Sequence, residues 1–149
     1  MNLKKQYIPH QEKVYEVSED LSRSSRSILL LEDDNSTVEV LTQHLEREGF
    51  RVIAAKDGMQ GLKQVMANDF DVVICDMMMP NLPGDMFHTA VSKTKPHMAK
   101  RFIFITGYVS DDKVKTFIQR IKGLILYKPF EMPALFENIN LILQKNAQQ

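Results

Sequence analysis

The sequence predicts an α/β fold in which a parallel β-sheet is covered by helices on both sides. Three observations carry that prediction. Short apolar runs stand at Ile28–Leu31, Val72–Cys75 and Phe102–Ile105, each bounded by polar or turn residues. Four consecutive apolar residues of this kind fit strands buried on both faces, as parallel sheets require. The segments between them carry apolar residues at helical spacing, and glycine or proline punctuates the junctions. Strands alternating with helices imply β-α-β units with right-handed crossovers.

Taken in order, residues 1–26 are polar and weakly patterned, and read as an N-terminal extension or linker, partly helical, with Leu21–Ser27 the linker-like portion. The folded unit is expected over residues 27–145. Ile28–Leu31 forms the first strand and ends in Glu32-Asp33-Asp34. Asp34 or Asn35 caps a helix whose inner face carries Val38, Leu41 and Leu45, and Gly49 stops it. Arg51–Ala55 is a second strand. Asp57-Gly58 starts a helix with Leu62, Val65 and Met66 facing inward. Val72–Cys75 is the third strand, ending in Asp76 and followed by a loop through Pro80, Pro83 and Gly84.

A helix from about Asp85 to Ser92 comes next, and the basic stretch Lys93–Arg101 leads into the fourth strand, ending in Thr106-Gly107. Ser110 is expected to cap a helix with Val114, Phe117, Ile118 and Ile121 inward. Gly123 opens the fifth strand, which ends in Lys128-Pro129-Phe130. A last helix carries Leu135, Ile139, Ile142 and Leu143. The polar end from Gln144 to Gln149, with residues 146–149 its C-terminal tail, is expected to leave no room for another domain.

Nineteen basic residues balance nineteen acidic ones, so general electrostatic attraction gives no support for direct nucleic-acid binding. The single cysteine, Cys75, lies inside an apolar run and reads as a small buried hydrophobe. One cysteine excludes an internal disulfide, and a reducing, cytoplasmic setting is expected. No apolar run is long enough for membrane insertion.

In a parallel sheet the carboxyl ends of the strands share one edge, where ligands of open α/β sheets bind. That edge gathers Glu32, Asp33, Asp76, Thr106 and Lys128. Two carboxylates about 4 Å apart repel by roughly 4 kcal/mol at an effective dielectric of 20. Such a cluster calls for a cation, and oxygen ligands select a hard one such as Mg²⁺. A carboxylate beside Mg²⁺ and a lysine is a plausible nucleophile toward phosphorus, with the ion, Lys128 and Thr106 each taking one phosphoryl oxygen.

Read together, Ile28-Leu-Leu-Leu-Glu-Asp-Asp, Asp71-Val-Val-Ile-Cys-Asp-Met-Met-Met-Pro, Phe102-Ile-Phe-Ile-Thr-Gly and Tyr127-Lys-Pro-Phe resemble a two-component response-regulator receiver domain over residues 27 to about 145. Lys95–Tyr108 is similar to the receivers of hybrid sensor histidine kinases. The resemblance implies a flavodoxin-like (βα)5 fold with strand order 2-1-3-4-5. It implies that Asp76 is the phosphoacceptor, taking phosphate from a histidine kinase or histidine phosphotransfer domain. Asp33, Asp76 and the Met78 carbonyl would bind Mg²⁺, or Mn²⁺ in its place, with Glu32 acting through water. Thr106 would be the switch hydroxyl, Lys128 the phosphate-binding lysine, and the bond before Pro129 is expected to be cis.

The sequence departs from the family at Ile125, where many receivers carry an aromatic switch residue. Met78 and Tyr108 occupy positions that tune dephosphorylation, and slow self-dephosphorylation is expected. The surface from Ser110 to Tyr127, with Lys113, Lys115, Arg120 and Lys122, is the expected face for a downstream protein. His10, His44, His88 and His97 read as surface or packing residues. The chain is read as a signalling module and not a stand-alone enzyme, whether a single-domain regulator or the receiver of a hybrid kinase. The alternatives are a degenerate, non-phosphorylated module of the same fold and a small Asp-nucleophile phosphohydrolase. Phosphohydrolases of that kind commonly place a second acid where Met78 stands, and a flavin-binding domain lacks its phosphate loop here.

Overall fold

A computed structural model describes residues 26–107 and 111–148. Five strands, β1 (Ser27–Leu31), β2 (Arg51–Ala55), β3 (Val72–Asp76), β4 (Phe102–Thr106) and β5 (Leu124–Tyr127), form one parallel sheet in the order β2-β1-β3-β4-β5. The helices are α1 (Asn35–Arg47), α2 (Gly58–Ala67), α3 (Gly84–Thr94), α4 (Asp112–Ile121) and α5 (Met132–Ala147). The architecture is thus the flavodoxin-like one expected.

Strand side chains alternate between faces, and each face has its own core. Ile28, Leu30, Val72, Ile74, Ile103 and Ile105 pack with Leu41 and Leu45 of α1 and with Leu135, Ile139 and Ile142 of α5. Leu29, Leu31, Val73, Cys75, Phe102 and Phe104 pack on the other face with Val65 of α2, Phe87 and Val91 of α3, and Val114 and Phe117 of α4. The central strands β1, β3 and β4 are buried along their whole length, which explains why they read as unbroken apolar runs. Burial pushes the Cys75 thiol well above its ordinary range, with the nearby Asp76 charge adding to it. It is inert packing.

Local signals set the helix ends. Asp34 caps α1, its carboxylate accepting from Thr37 N and Thr37 Oγ1. Gly49, at φ 98°, takes the left-handed position after α1. Several expectations need correction. Met66 points outward and is 57% exposed; the inner stripe of α2 is Gly58, Gly61 and Val65, with Leu62 packed beside it. A Cβ on Gly61 would lie 2.5 Å from Leu31 Cδ2, so α2 rides close to the sheet and Met66 turns past the contact. Asp111, not Ser110, supplies the cap of α4, accepting from Lys113 N and Val114 N. Ser110 itself lies outside the described residues. A single 3₁₀ turn at Pro96–Met98 interrupts the basic stretch, and β5 begins at Leu124, one residue after Gly123.

His88 is a packing histidine on α3. It is buried, its Nε2–H donates to the Ala99 carbonyl at 2.9 Å, and its ring meets the Phe102 and Phe117 rings edge-on at 4.8 and 5.5 Å. Burial holds its pKa below the ordinary value, the Ala99 hydrogen bond opposes that, and the Arg120 charge adds to the lowering. A folded pKa below the unfolded one means that the unfolded chain binds the proton more readily. The stability His88 contributes is therefore complete above about 6.5 and is lost as pH falls through the depressed folded value. Urea midpoints measured from pH 7 to pH 5 are expected to fall, and His88→Phe is expected to flatten that slope; an equal slope in the variant would assign it elsewhere.

Candidate functional site

The strand order reverses direction between β1 and β3, and the crevice outside their carboxyl ends is the expected ligand position in a doubly wound sheet. Glu32 follows β1 directly, and its N–H donates to the Ala55 carbonyl at the end of β2. Asp33 is exposed beside it. Asp76 is the last residue of β3 and only 5% exposed. Carboxylate oxygens of Glu32, Asp33 and Asp76 lie within 4.8 Å of one another.

Lys128 reaches into this cluster from the end of β5. Its Nζ donates to Glu32 Oε1 and to Asp76 Oδ2, each at 3.1 Å. The remaining oxygens are also engaged: Met78 N donates to Asp76 Oδ1 at 2.9 Å and Asp34 N to Glu32 Oε2 at 3.1 Å. Burial raises the Glu32 pKa and the Asp76 charge adds to the rise, while the Asp34 N–H and Lys128 oppose it. Burial also disfavours the Lys128 ammonium, but Asp76 and then Glu32 outweigh it, so the pKa of Lys128 rises. Three carboxylates against one ammonium leave two negative charges. A divalent cation matches that charge, and the all-oxygen donor set suits a hard ion.

Thr106 ends β4 and is fully buried. The register pairs Asp76 with Ile105, so Thr106 sits one residue beyond the acid's neighbour. The Thr106 carbonyl accepts from Lys128 N at 2.8 Å, which ties the β4 end to the lysine's backbone. The Lys128–Pro129 bond is cis. Ile125 is half-buried against the aromatic core, opposite Phe104 in the sheet. Met78 is 49% exposed. Tyr108 lies outside the described residues. On the expected partner face Lys113, Lys115, Arg120 and Lys122 are all exposed, and the Arg120 guanidinium lies 5.4 Å from the Phe117 ring centroid.

Two supports of the site were missed in the sequence. Gly84 opens α3 directly against the backbone of the acid: a Cβ there would lie 2.8 Å from the Asp76 carbonyl oxygen and 2.9 Å from Met77 Cα. Only glycine permits that approach. The second is a clamp on the loop after Asp76. Asp57 caps α2 through Gln60 N at 2.8 Å and also accepts from Asn81 Nδ2 at 3.0 Å. Asn81 holds φ at 71°, a left-handed conformation that asparagine tolerates better than most residues. Leu82 then packs on Gly58, where a Cβ would come within 2.5 Å of the Leu82 carbonyl oxygen. The sequence signal was an Asn-Leu-Pro-Gly turn, which marks a loop without naming its partner 24 residues away.

Residues 28–140 match the model of the response regulator receiver domain family. The sensor kinase CckA of Brucella abortus is 29% identical over 136 residues, which cover 90% of this chain and 14% of that protein. The transcription factor SKN7 of Candida albicans is 33% identical over 110 residues, 73% of this chain and 19% of that protein. The chain therefore spans less than a fifth of either relative. The crystal structure of a CheY-like response regulator receiver domain protein from Methanospirillum hungatei superposes with a TM-score of 0.76 at 26% identity, covering 83% of this chain and 97% of that one.

Proposed function

The chain belongs to the response regulator receiver domain family, and from that premise we propose that Asp76 accepts a phosphoryl group from a phosphohistidine and that the domain switches conformation in response. The observation that carries this reading is the Asp76 carboxylate held 3.1 Å from Lys128 Nζ and clustered with Glu32 and Asp33.

In this reading one Asp76 oxygen attacks phosphorus. The O–P bond forms as the N–P bond of the phosphohistidine breaks, and its electron pair stays on the imidazole, which then takes a proton from water. Lys128 binds one phosphoryl oxygen, releasing its bond to Asp76, and the Thr106 hydroxyl takes another. Asp33, Asp76 and the Met78 carbonyl would hold Mg²⁺ or Mn²⁺, with Glu32 acting through water. When bound, the ion neutralises charge on the transferring group. Such transfer asks mainly for positioning and charge stabilisation, which a site of fixed backbone and paired charges supplies.

The phosphoryl source is a histidine kinase or a histidine phosphotransfer domain; that the Brucella relative is named a sensor kinase supports this. The switch runs through the β4–α4 loop. Ile125 has no ring to swing inward, so the accompanying side-chain shift is small. The surface offered to a downstream protein is α4 with β5 beside it, its exposed basic residues being Lys113, Lys115, Arg120 and Lys122. Met78 offers no strong hydrogen-bonding group to orient water, and Tyr108 is bulky, so loss of phosphate is slow.

Acetyl phosphate with Mg²⁺ is expected to add one phosphoryl group to the purified chain, read as intact mass, and none to Asp76→Ala; equal labelling of the variant would remove Asp76 from the reaction. Met78→Asn is expected to speed phosphate loss on the order of tenfold, the change that about 1.4 kcal/mol of barrier produces; an unchanged or slower rate counts against water orientation as the limit. Beryllofluoride bound at Asp76 is expected to shift the backbone amide resonances of residues 106–113 with little change at Ile125; unmoved resonances over 106–113 would refute the loop as the switch.

A further inference from the structure

The end of the sheet away from the acids carries a feature that the phosphoryl chemistry does not use. Where β4 and β5 begin, a cavity of about 250 Å³ is walled by apolar groups, among them Phe104, Leu124 and Leu141, and bordered by Lys100, Lys122 and Lys145. Phe104 is fully buried, while Leu141 is 42% exposed. No acidic residue lines the cavity. The three lysines come from three separate places: the turn before β4, the end of α4 and the last turn of α5. They are not one solvated helix face. None has a carboxylate partner among the described residues. Lys122 adopts the left-handed conformation, at φ 54° and ψ 45°, as it ends α4. That position usually goes to glycine.

An apolar cavity edged by three unpaired cations suits an occupant that is apolar and acidic at once. The chain itself contains such a segment. Residues 12–21, Glu-Lys-Val-Tyr-Glu-Val-Ser-Glu-Asp-Leu, carry four carboxylates against one lysine, with Val14, Tyr15, Val17 and Leu21 among them. The geometry permits the contact. The strands are parallel, so β1, β4 and β5 all begin on the same edge, and the described chain enters that edge at Arg26. β4 lies two strands from β1 and β5 three, about 10–15 Å at roughly 4.8 Å per strand. Residues 22–26, when extended, span about 16–18 Å at roughly 3.3–3.6 Å per residue.

We propose that residues 12–21 dock in cis into the lysine-bordered cavity at the foot of β4 and β5. Their apolar side chains cover Leu141 and the cavity wall, and Glu12, Glu16, Glu19 and Asp20 pair with Lys100, Lys122 and Lys145. The N-terminal extension then acts as a strap that braces the end of α4 and the start of β5 from below.

Zero-length carbodiimide cross-linking of the full chain tests this, using an equal mixture of ¹⁴N- and ¹⁵N-labelled protein and peptide mapping. The expected links join Glu12, Glu16, Glu19 or Asp20 to Lys100, Lys122 or Lys145, always within one isotope label, and they fade at about 1 M salt, where the screening length is about 3 Å. Links spread evenly over the surface lysines would overturn the proposal. So would links between the two labels, which would assign the segment to a second copy. The triple variant Glu16→Lys, Glu19→Lys, Asp20→Lys leaves every described residue unchanged. It is expected to abolish the Glu12 links as well, because the segment no longer docks, and to speed amide exchange over residues 121–125 by about threefold or more, as loss of a local brace requires. Adding Lys100→Glu, Lys122→Glu and Lys145→Glu is expected to restore slow exchange. Exchange that is indifferent to the first triple variant would refute the strap.

Discussion

Like-charge crowding at the carboxyl edge of the sheet is the constraint to which the rest of this molecule answers. Glu32 and Asp76 are both nearly excluded from water, and Asp33 stands beside them. Desolvated carboxylates at this spacing persist only when paired. Lys128 provides the pairing, donating to both buried acids from a residue 96 positions beyond one of them and 52 beyond the other. Backbone N–H groups of Asp34 and Met78 occupy the remaining oxygens. Two net negative charges survive this pairing, a charge that a divalent ion would match.

Holding that arrangement falls to the backbone. Asp76 ends a strand that is buried on both faces and fixed between β1 and β4. α3 begins in direct contact with the Asp76 and Met77 backbone because Gly84 has no side chain. The loop between them is tied to α2 by the Asp57–Asn81 hydrogen bond and by Leu82 packed on Gly58. The Gly84 contact sets main chain against the acid, the other two hold the loop that follows it, and packed main chain moves little. The site is thus pre-set by packing, with Lys128 the charge that bridges its two buried acids.

Family membership rests on a match over residues 28–140, and it carries the fold and the module's place in two-component systems. It does not erase what is particular to this chain. A branched aliphatic residue stands at Ile125, packed against Phe104 and the aromatic cluster around His88. A thioether stands at Met78, half in solvent. Neither side chain carries a strong hydrogen-bonding group or an aromatic ring, and the proposed slow loss of phosphate and small switch movement rest on that chemistry. At the opposite end of the sheet, three lysines border an apolar cavity.

The sequence by itself determined the strands, their parallel pairing and the chemistry at their ends. Strands buried on both faces leave an apolar run that no other element of that length requires, and parallel alternation sends all their carboxyl ends to one edge. Glu32, Asp33, Asp76, Thr106 and Lys128 were legible for that reason. What tertiary structure decided was everything set by contact between distant residues. Met66 fits the helical period as well as Val65 does, yet Gly61 lets α2 settle so near Leu31 that Met66 is turned outward. Asp57 and Asn81 each read as local turn residues, and only the folded chain makes them partners. The bond from Lys128 to two acids is likewise a product of strand order. Periodicity and turn chemistry are local properties written along the chain, whereas packing distance and charge pairing exist only once strands and helices are laid side by side.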